Sequence, residues 1–269
     1  GLHFFNPAHR MPLVEVIHRE ATTPKALATA LALVRRLRKT PVLVKNREGF
    51  LVNRVFIPYL KEAFWLLEEG ADPRTIDRAA VDFGFPMGPL ALIDMAGLDI
   101  LKATDRVLRR AFPWHRPECV LVERLVEAGH LGQKTGAGVY KYQPGDYTPQ
   151  DHAAMADLLR DVRQKGQRAA RPIDSGEITD RLVLRMVAEA FRVLEDAVVQ
   201  RESDMDVAMV LGVGFPDFRG GLVRYARDRG LDRIVDRLKT LAERYGERFA
   251  PNKLLRQLSG TSGRRSGKD

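Results

Sequence analysis

The sequence predicts a mainly α-helical protein with a small α/β segment at its start. Three observations carry this prediction: strand-length apolar runs surround one amphipathic helix before residue 46, helical spacing of apolar residues dominates after residue 49, and part of the helical pattern occurs twice. Apolar residues make up 45% of the 269 residues and charged residues 29%, which is ordinary globular usage. This composition excludes disordered, collagen-like and coiled-coil chains.

The first segment has the pattern of two strands, a helix and a third strand. Residues 2–5 and 13–17 are short runs rich in aromatic or β-branched side chains, and residues 42–44 form a third such run. Thr23 is suited to cap a helix and Pro24 to stand at its first position. The pattern indicates a piece of an α/β sheet.

The helical part contains a repeat. Three short segments recur in the same order: Glu62-Ala63-Phe64 as Glu189-Ala190-Phe191, Gly84-Phe85-Pro86 as Gly214-Phe215-Pro216, and Gly97-Leu98-Asp99 as Gly230-Leu231-Asp232. The separation of the copies grows only slightly from the first pair to the last, so the copies differ by small insertions. We therefore predict two related helical repeats, at about 50–127 and 178–256, with a helix near 150–164 between them. The chain from Ser259 onward lacks core-forming residues and is expected to be disordered.

The net charge and the cysteine content indicate which kind of partner and which cellular compartment to expect. Subtracting 35 acidic from 44 basic residues gives a net charge of +9, which favours an anionic partner. The charges are spread and no basic stripe is interleaved with aromatic residues, so we expect no nucleic-acid partner. The single cysteine, Cys119, forms no internal disulfide, as is typical of a cytoplasmic protein. No apolar run reaches the ~18–20 residues of a transmembrane helix.

His3 and Glu15 are the first candidate pair for chemistry. Glu15 lies within an apolar strand, where a carboxylate is costly unless it has a partner. If the first two strands pair antiparallel, Glu15 comes beside His3, and a carboxylate beside an imidazole is one way to build a general base. The alternative is a core histidine and an unrelated strand glutamate, and the spacing alone does not decide between them.

Two further features have a structural and a functional interpretation. Asn53 either caps a helix or donates a hydrogen bond to a carbonyl oxygen that gains negative charge. The glycine-rich stretch 132–140, which contains Lys134, is either a flexible hairpin or a phosphate-binding loop, although it has no P-loop spacing. The sequence contains neither HExxH nor CxxC, so we predict no metal site.

Taken together, these motifs resemble the 3-hydroxyacyl-CoA dehydrogenase family. The segments that carry the resemblance are Gly1-Leu2-His3-Phe4-Phe5-Asn6-Pro7, Leu13-Val14-Glu15-Val16-Ile17, Gly49-Phe50-Leu51-Val52-Asn53-Arg54, Asp77, Gly84-Phe85-Pro86-Met87-Gly88-Pro89, Asp94, Gly97-Leu98-Asp99 and Gly132-Gln133-Lys134-Thr135-Gly136. The second helical repeat makes the chain similar to the C-terminal part of a multifunctional fatty-acid β-oxidation protein.

The resemblance implies a role for each candidate residue. His3 would be the general acid/base for the 3-hydroxyl group, Glu15 would orient and charge-stabilise His3, and Asn53 would lie against the substrate oxygen. Asn6 would lie near the cofactor, NAD, or near the catalytic histidine, and Lys134 would approach NAD from the helical side. The implied reaction is oxidation of a 3-hydroxyacyl-CoA to a 3-oxoacyl-CoA, with a thiolase subunit or a second copy of the chain as partner.

One departure from the family pattern affects the implied organisation. The glycine fingerprint G-x-G-x-x-G that binds the dinucleotide does not occur in the 269 residues. We therefore expect a fragment: a Rossmann-type remnant (1–48), a first helical dehydrogenase domain (49–142), a linker (143–177), a second helical domain (178–258) and a disordered tail (259–269). We expect the second domain to lack the amide, since Asp180 stands where the first has Asn53. The alternative function is a non-catalytic helical module for assembly or acyl-CoA binding.

Overall fold

The computed structural model describes residues 1–115, 118–166 and 169–262. Contacts divide the chain into two structural units: residues 1–56 with 186–269 form the first, and residues 57–185 form the second. The boundaries fall inside two long helices, α2 (Val52–Glu69) and α8 (Ser175–Glu195). Within the described residues there are twelve α-helices and five short strands, so the predicted mainly helical fold with a small α/β start is confirmed.

The first structural unit begins with a three-stranded sheet. Its strands and its complete helices are β1 (Leu2–Phe4), β2 (Leu13–His18), α1 (Pro24–Arg36), β3 (Thr40–Lys45), α9 (Glu202–Val213), α10 (Leu222–Arg229), α11 (Leu231–Tyr245) and α12 (Lys253–Ser262). The strand order is β1-β2-β3, with β1 antiparallel and β3 parallel to β2. The three predicted strands and the predicted helix between them are therefore confirmed.

Local sequence explains why α1 forms where it does. Thr23 Oγ1 accepts a hydrogen bond from the backbone N–H of Ala26 at 3.2 Å, and Pro24 occupies the first turn. One face of α1 packs its apolar side chains, Val34 among them, against Val14 and Val16 of β2. This burial fixes the sheet that carries His3 and Glu15.

The regular structure that is described in the second structural unit is helical apart from one hairpin. Its elements, besides the parts of α2 and α8, are α3 (Pro73–Phe83), α4 (Pro89–Ala96), α5 (Leu98–Ala111), α6 (Val120–Glu127), β4 (Lys141–Gln143), β5 (Asp146–Gln150) and α7 (Ala153–Lys165). Helix α7 confirms the helix expected near 150–164. The interval 143–177, expected to be a linker, thus contains regular structure over much of its length.

The expected disordered tail needs a correction. Helix α12 continues to Ser262, so residues 259–262 are helical, while residues 263–269 lie outside the described residues. Apolar residues earlier in the helix explain the difference: Leu255 is fully buried, and this anchor stabilises the turns that follow it. No helix of the described residues has both the length and the apolar character needed to cross a membrane.

Candidate active site

The predicted contact between His3 and Glu15 is present. The antiparallel register of β1 and β2 places the two residues directly opposite each other. His3 Nδ1 lies 2.5 Å from Glu15 Oε2, and the side chains are 28% and 0% exposed, respectively. With the Nδ1 proton donated to the carboxylate, the Nε2 lone pair of His3 is the one left to accept a proton.

Backbone N–H groups bind the second oxygen of the Glu15 carboxylate. Its Oε1 atom accepts hydrogen bonds from the N–H groups of Leu51 and Val52, both at 3.0 Å. Both oxygens of this buried carboxylate are therefore hydrogen-bonded, which offsets its desolvation. The carboxylate links the strand pair to the start of α2.

Asn53 is the second residue of α2 and is half-buried. Because Val52 is the first helical residue, Asn53 does not occupy the N-cap position, and the capping interpretation is wrong. Asn53 directly follows Val52, whose N–H group donates to Glu15. The chain therefore places Asn53 next to a residue that contacts this carboxylate.

A pocket of about 440 Å³ lies beside His3. Its lining includes His3, Ile17, Arg19, Thr22, Asn46 and Phe50. Two aromatic rings adjoin the imidazole, with centroid distances of 4.7 Å for Phe5 and 5.6 Å for Phe50. The pocket thus combines apolar side chains with one partly exposed imidazole and further polar side chains, an arrangement that can orient a ligand through a few polar contacts.

Asn6 and Lys134 occupy surface positions. Asn6 is exposed, two residues beyond the end of β1. Lys134 belongs to the second structural unit, where its Nζ lies 2.5 Å from Asp99 Oδ1, and both side chains are close to half exposed. The hydrogen bond from Lys134 holds the pKa of the Asp99 carboxyl below its usual range.

The glycine-rich stretch encloses a carboxylate of its own chain. Asp94 accepts hydrogen bonds from the N–H groups of Val139 and Tyr140 at 2.9 and 2.8 Å. A Cβ atom on Gly132 or Gly138 would overlap Asp94 atoms, so only glycine fits at either position. An antiparallel bridge between Gly132 and Ala137 closes the loop as a hairpin. Its glycines permit close packing on Asp94.

Burial has a consequence for Asp94 itself. It raises the pKa of this carboxyl to about 6, against the lowering effect of the hydrogen bonds from the loop and from Tyr142. Asp94 is one of the residues on which the family resemblance rests, but the resemblance gave it no role. A polar residue in the apolar helix α4 was the only sequence signal for it.

Sequence reasoning also missed the backbone donors of Leu51 and Val52. Main-chain N–H groups leave no residue-type signature, so no sequence signal could have found them. Among the described residues, no three His, Cys, Asp or Glu side chains lie together as a metal ion would need.

Two family models match the chain. The NAD-binding domain of 3-hydroxyacyl-CoA dehydrogenase matches residues 1–47, and the C-terminal domain matches twice, at residues 49–142 and 176–269. These models define a class of two-part dehydrogenases in which a nucleotide-binding domain precedes helical domains. The chain belongs to the 3-hydroxyacyl-CoA dehydrogenase family.

Individual relatives agree with this assignment. The chain is 42% identical over 251 residues to the fatty acid oxidation complex subunit alpha of Psychrobacter sp., covering 91% of this chain and 34% of the relative. It is 38% identical over 254 residues to the peroxisomal bifunctional enzyme of Danio rerio, covering 89% and 35%. The chain thus spans about one third of the length of these curated relatives.

Solved structures show the same fold. 3-Hydroxybutyryl-CoA dehydrogenase from Escherichia coli K12 aligns with a TM-score of 0.81 at 29% identity, over 98% of this chain and 71% of that one. The dehydrogenase part of multifunctional enzyme 1 from C. elegans aligns with a TM-score of 0.71 at 29% identity, over 96% and 58%.

Proposed function

We propose that this chain carries the acid–base centre of an NAD-dependent 3-hydroxyacyl-CoA dehydrogenase of fatty-acid β-oxidation, with His3 as the general acid/base. The observation that carries the proposal is the 2.5 Å contact between His3 Nδ1 and a fully buried Glu15. The 3-hydroxybutyryl-CoA dehydrogenase fold of the similar structure supports it.

The chemistry follows from the orientation of the imidazole. His3 Nε2 accepts the proton of the substrate's 3-hydroxyl group while the C3–H bond breaks and the carbonyl forms. Glu15 fixes the tautomer beforehand and stabilises the imidazolium afterwards. When bound, NAD supplies the acceptor for the hydride that leaves C3.

The remaining site residues have supporting roles in the proposal. Asn53, in the first turn of α2, donates its amide to the substrate oxygen. Asn6 and Lys134 contact the dinucleotide. Because the 269 residues contain no G-x-G-x-x-G, we assign them no cradle for the pyrophosphate. In the proposal, the pocket beside His3 holds only the reacting ends of the substrate and the cofactor, and not the pyrophosphate.

The proposal extends to substrate, partner, location and organisation. An acyl-CoA substrate fits the net charge of +9, and a thiolase subunit or a second copy of the chain is the proposed partner. The single cysteine, which is buried, favours a cytoplasmic location. We propose domains at 1–48, 49–142 and 178–258, which limited proteolysis at 143–177 would test.

Turnover tests the assignment directly. The 269-residue chain, and the chain joined to the part of the Psychrobacter relative that precedes the aligned segment, are assayed by NADH absorbance with acetoacetyl-CoA. We expect activity in the fusion and a loss of about 10²–10⁴-fold on His3→Ala, because reduction of the 3-oxo group loses the proton donor that is the same imidazole in its protonated form. His9→Ala, at an exposed histidine on the same segment, is the matched control. An active fusion that tolerates His3→Ala contradicts the proposal.

The missing glycine fingerprint favours a second candidate, a non-catalytic helical module for assembly or acyl-CoA binding. Calorimetric titration of the chain with acetoacetyl-CoA separates the two. Binding without turnover in either protein supports the module, whereas turnover by the 269-residue chain alone excludes it.

A further inference from the structure

Phe50 has a backbone conformation that its side chain disfavours. Its φ angle is +48°, directly after Gly49 with φ +73°. The left-handed region brings the Cβ atom of an L-residue close to its own carbonyl oxygen, and a bulky side chain there is a true outlier. Glycine would adopt this turn at lower cost, as it does one residue earlier. Such strained residues persist where the surroundings over-determine them, often at functional sites.

The ring of Phe50 is not explained as core filling. The residue is only half-buried, and its ring forms part of the pocket beside His3. Its centroid lies 5.6 Å from the His3 imidazole centroid, with an angle of 51° between the planes. The ring therefore restricts the imidazole from a side that the Glu15 hydrogen bond does not control.

The turn at Phe50 has a separate effect on Glu15. The next two residues along the chain, Leu51 and Val52, are those whose N–H groups donate to Glu15 Oε1. Reversal of the chain direction at residues 49 and 50 brings these donors to the carboxylate before α2 begins. One residue thus contacts the imidazole with its ring and sets the carboxylate through its backbone.

We propose that Phe50 is a positioning residue that fixes the orientation of the His3–Glu15 pair, through its ring and through the strained turn. The inference rests on the proposed role of His3. It adds that a phenylalanine stands where glycine would adopt the backbone conformation at lower cost, because the ring is needed at the imidazole.

The test uses the 269-residue chain, with its six histidines labelled with ¹⁵N, and does not depend on turnover. Four variants separate the two effects. Phe50→Leu removes the ring, Phe50→Tyr keeps it, and Phe50→Ala and Phe50→Gly differ only in the Cβ atom at the left-handed position. Phe218→Leu, at a phenylalanine that is 72% exposed, is the matched control. The ¹⁵N signals of the His3 ring and the melting temperature are measured.

We expect wild type, Phe50→Tyr and Phe218→Leu to show one protonated and one unprotonated His3 nitrogen with a slowly exchanging Nδ1 proton. Phe50→Leu, Phe50→Ala and Phe50→Gly should lose that pattern to averaging, and Phe50→Gly should melt several degrees above Phe50→Ala.

An unchanged His3 pattern in Phe50→Leu and Phe50→Ala overturns the positioning role. Equal melting of the alanine and glycine variants overturns the strained turn. If wild type itself lacks the fixed tautomer, the proposed function of His3 fails first, which is a different result.

Discussion

The two helical repeats share a set of buried ion pairs but not the candidate site. Arg54 Nε donates to Glu189 Oε1 at 3.1 Å within the first structural unit. At the equivalent place in the second unit, Arg181 Nε donates to Glu62 Oε1 at 2.7 Å. The two glutamates are the first residues of the repeated Glu-Ala-Phe segment, so the arginine of each repeat meets the same position of the other.

A second acid extends this reciprocity. Arg54 also pairs with Asp196, and Arg181 also pairs with Glu69. Each of these acids follows the glutamate of its own repeat at the same spacing in the sequence. Such reciprocity is the pattern of a twofold homodimer interface.

The repeats differ where chemistry is proposed. Asp180 precedes Arg181 as Asn53 precedes Arg54, so the second repeat carries a carboxylate in place of the amide. Both repeats therefore contain the arginine and the acids of the reciprocal ion pairs, whereas the asparagine of the candidate site occurs in the first repeat alone. We propose that the second repeat acts as a packing partner, covalently linked in place of another subunit.

A second difference concerns the glycine-rich loop. Counted back from the repeated Gly-Leu-Asp segment, Arg227 stands where the first repeat has Asp94. Arg227 pairs with Glu202, whereas Asp94 accepts hydrogen bonds from the loop. The buried carboxylate and the loop that encloses it are therefore features of the first repeat.

The largest expected loss of stability follows from substitutions in the reciprocal ion pairs. Glu62→Gln and Glu189→Gln each leave a buried arginine short of a charge partner, since both glutamates and both arginines are fully buried. Each should cost about 1.5–3 kcal/mol in the free energy of unfolding, measured by urea denaturation, because one charge-assisted hydrogen bond is lost while the second acid, Asp196 or Glu69, still pairs with the arginine. Asp157→Asn, in an exposed pair on α7, is the control and should change little. If one variant loses much stability and the other loses none, the two ion pairs are not equivalent.

A smaller effect is expected at the aspartates that cap equivalent helices. Asp77 accepts hydrogen bonds from the N–H groups of Leu90 and Ala91 in α4, and Asp206 accepts them from Val223 and Arg224 in α10.

Replacing either aspartate by alanine should cost about 0.5–2 kcal/mol, as loss of an N-terminal helix cap does. Asp77→Ala should cost more than Asp206→Ala, because Asp77 also accepts the Tyr140 hydroxyl at 2.8 Å. Tyr140→Phe provides the control, since it removes that hydroxyl and keeps the cap. A larger cost for Asp206→Ala than for Asp77→Ala in thermal and urea unfolding would contradict the contribution of the Tyr140 hydrogen bond.

The smallest expected effect is a pH dependence that belongs to the first repeat. Burial raises the pKa of Asp94 from 3.8 to about 6, so between these values the folded state binds more protons than the unfolded state. Stability from this group therefore increases as pH falls. Wild type should gain about 1 kcal/mol relative to Asp94→Asn on going from pH 7 to pH 5.

Urea midpoints of the two proteins at both pH values measure this difference. Asp99→Asn is the matched control: Lys134 lowers the pKa of Asp99 below its ordinary value of 3.8, so its difference from wild type should stay constant between pH 7 and pH 5. If the difference between wild type and Asp94→Asn is constant with pH, the carboxylate does not titrate in this range.

Much of the fold followed from local signals. The cap at Thr23, the strand runs and the repeated Gly-Phe-Pro segments act over a few residues, and they predicted elements that the structure contains. The tail was predicted less well, because the burial of Leu255 depends on packing that composition does not reveal. The prediction of an N-cap at Asn53 was wrong because α2 begins at Val52, two residues earlier than a cap at Asn53 requires.

The sequence by itself determined the helical class and the duplication, since these depend on the spacing of apolar residues and on repeated segments. The opposition of His3 to Glu15 depended on the antiparallel pairing of two neighbouring strands, which the structure showed. Only the tertiary structure decided that Leu51 and Val52 hold the same carboxylate, that Asp94 occupies the glycine-rich loop, and that arginines of one repeat meet acids of the other. These contacts join residues 36 to 135 positions apart. Their partners are backbone groups or distant charges, which no local pattern encodes.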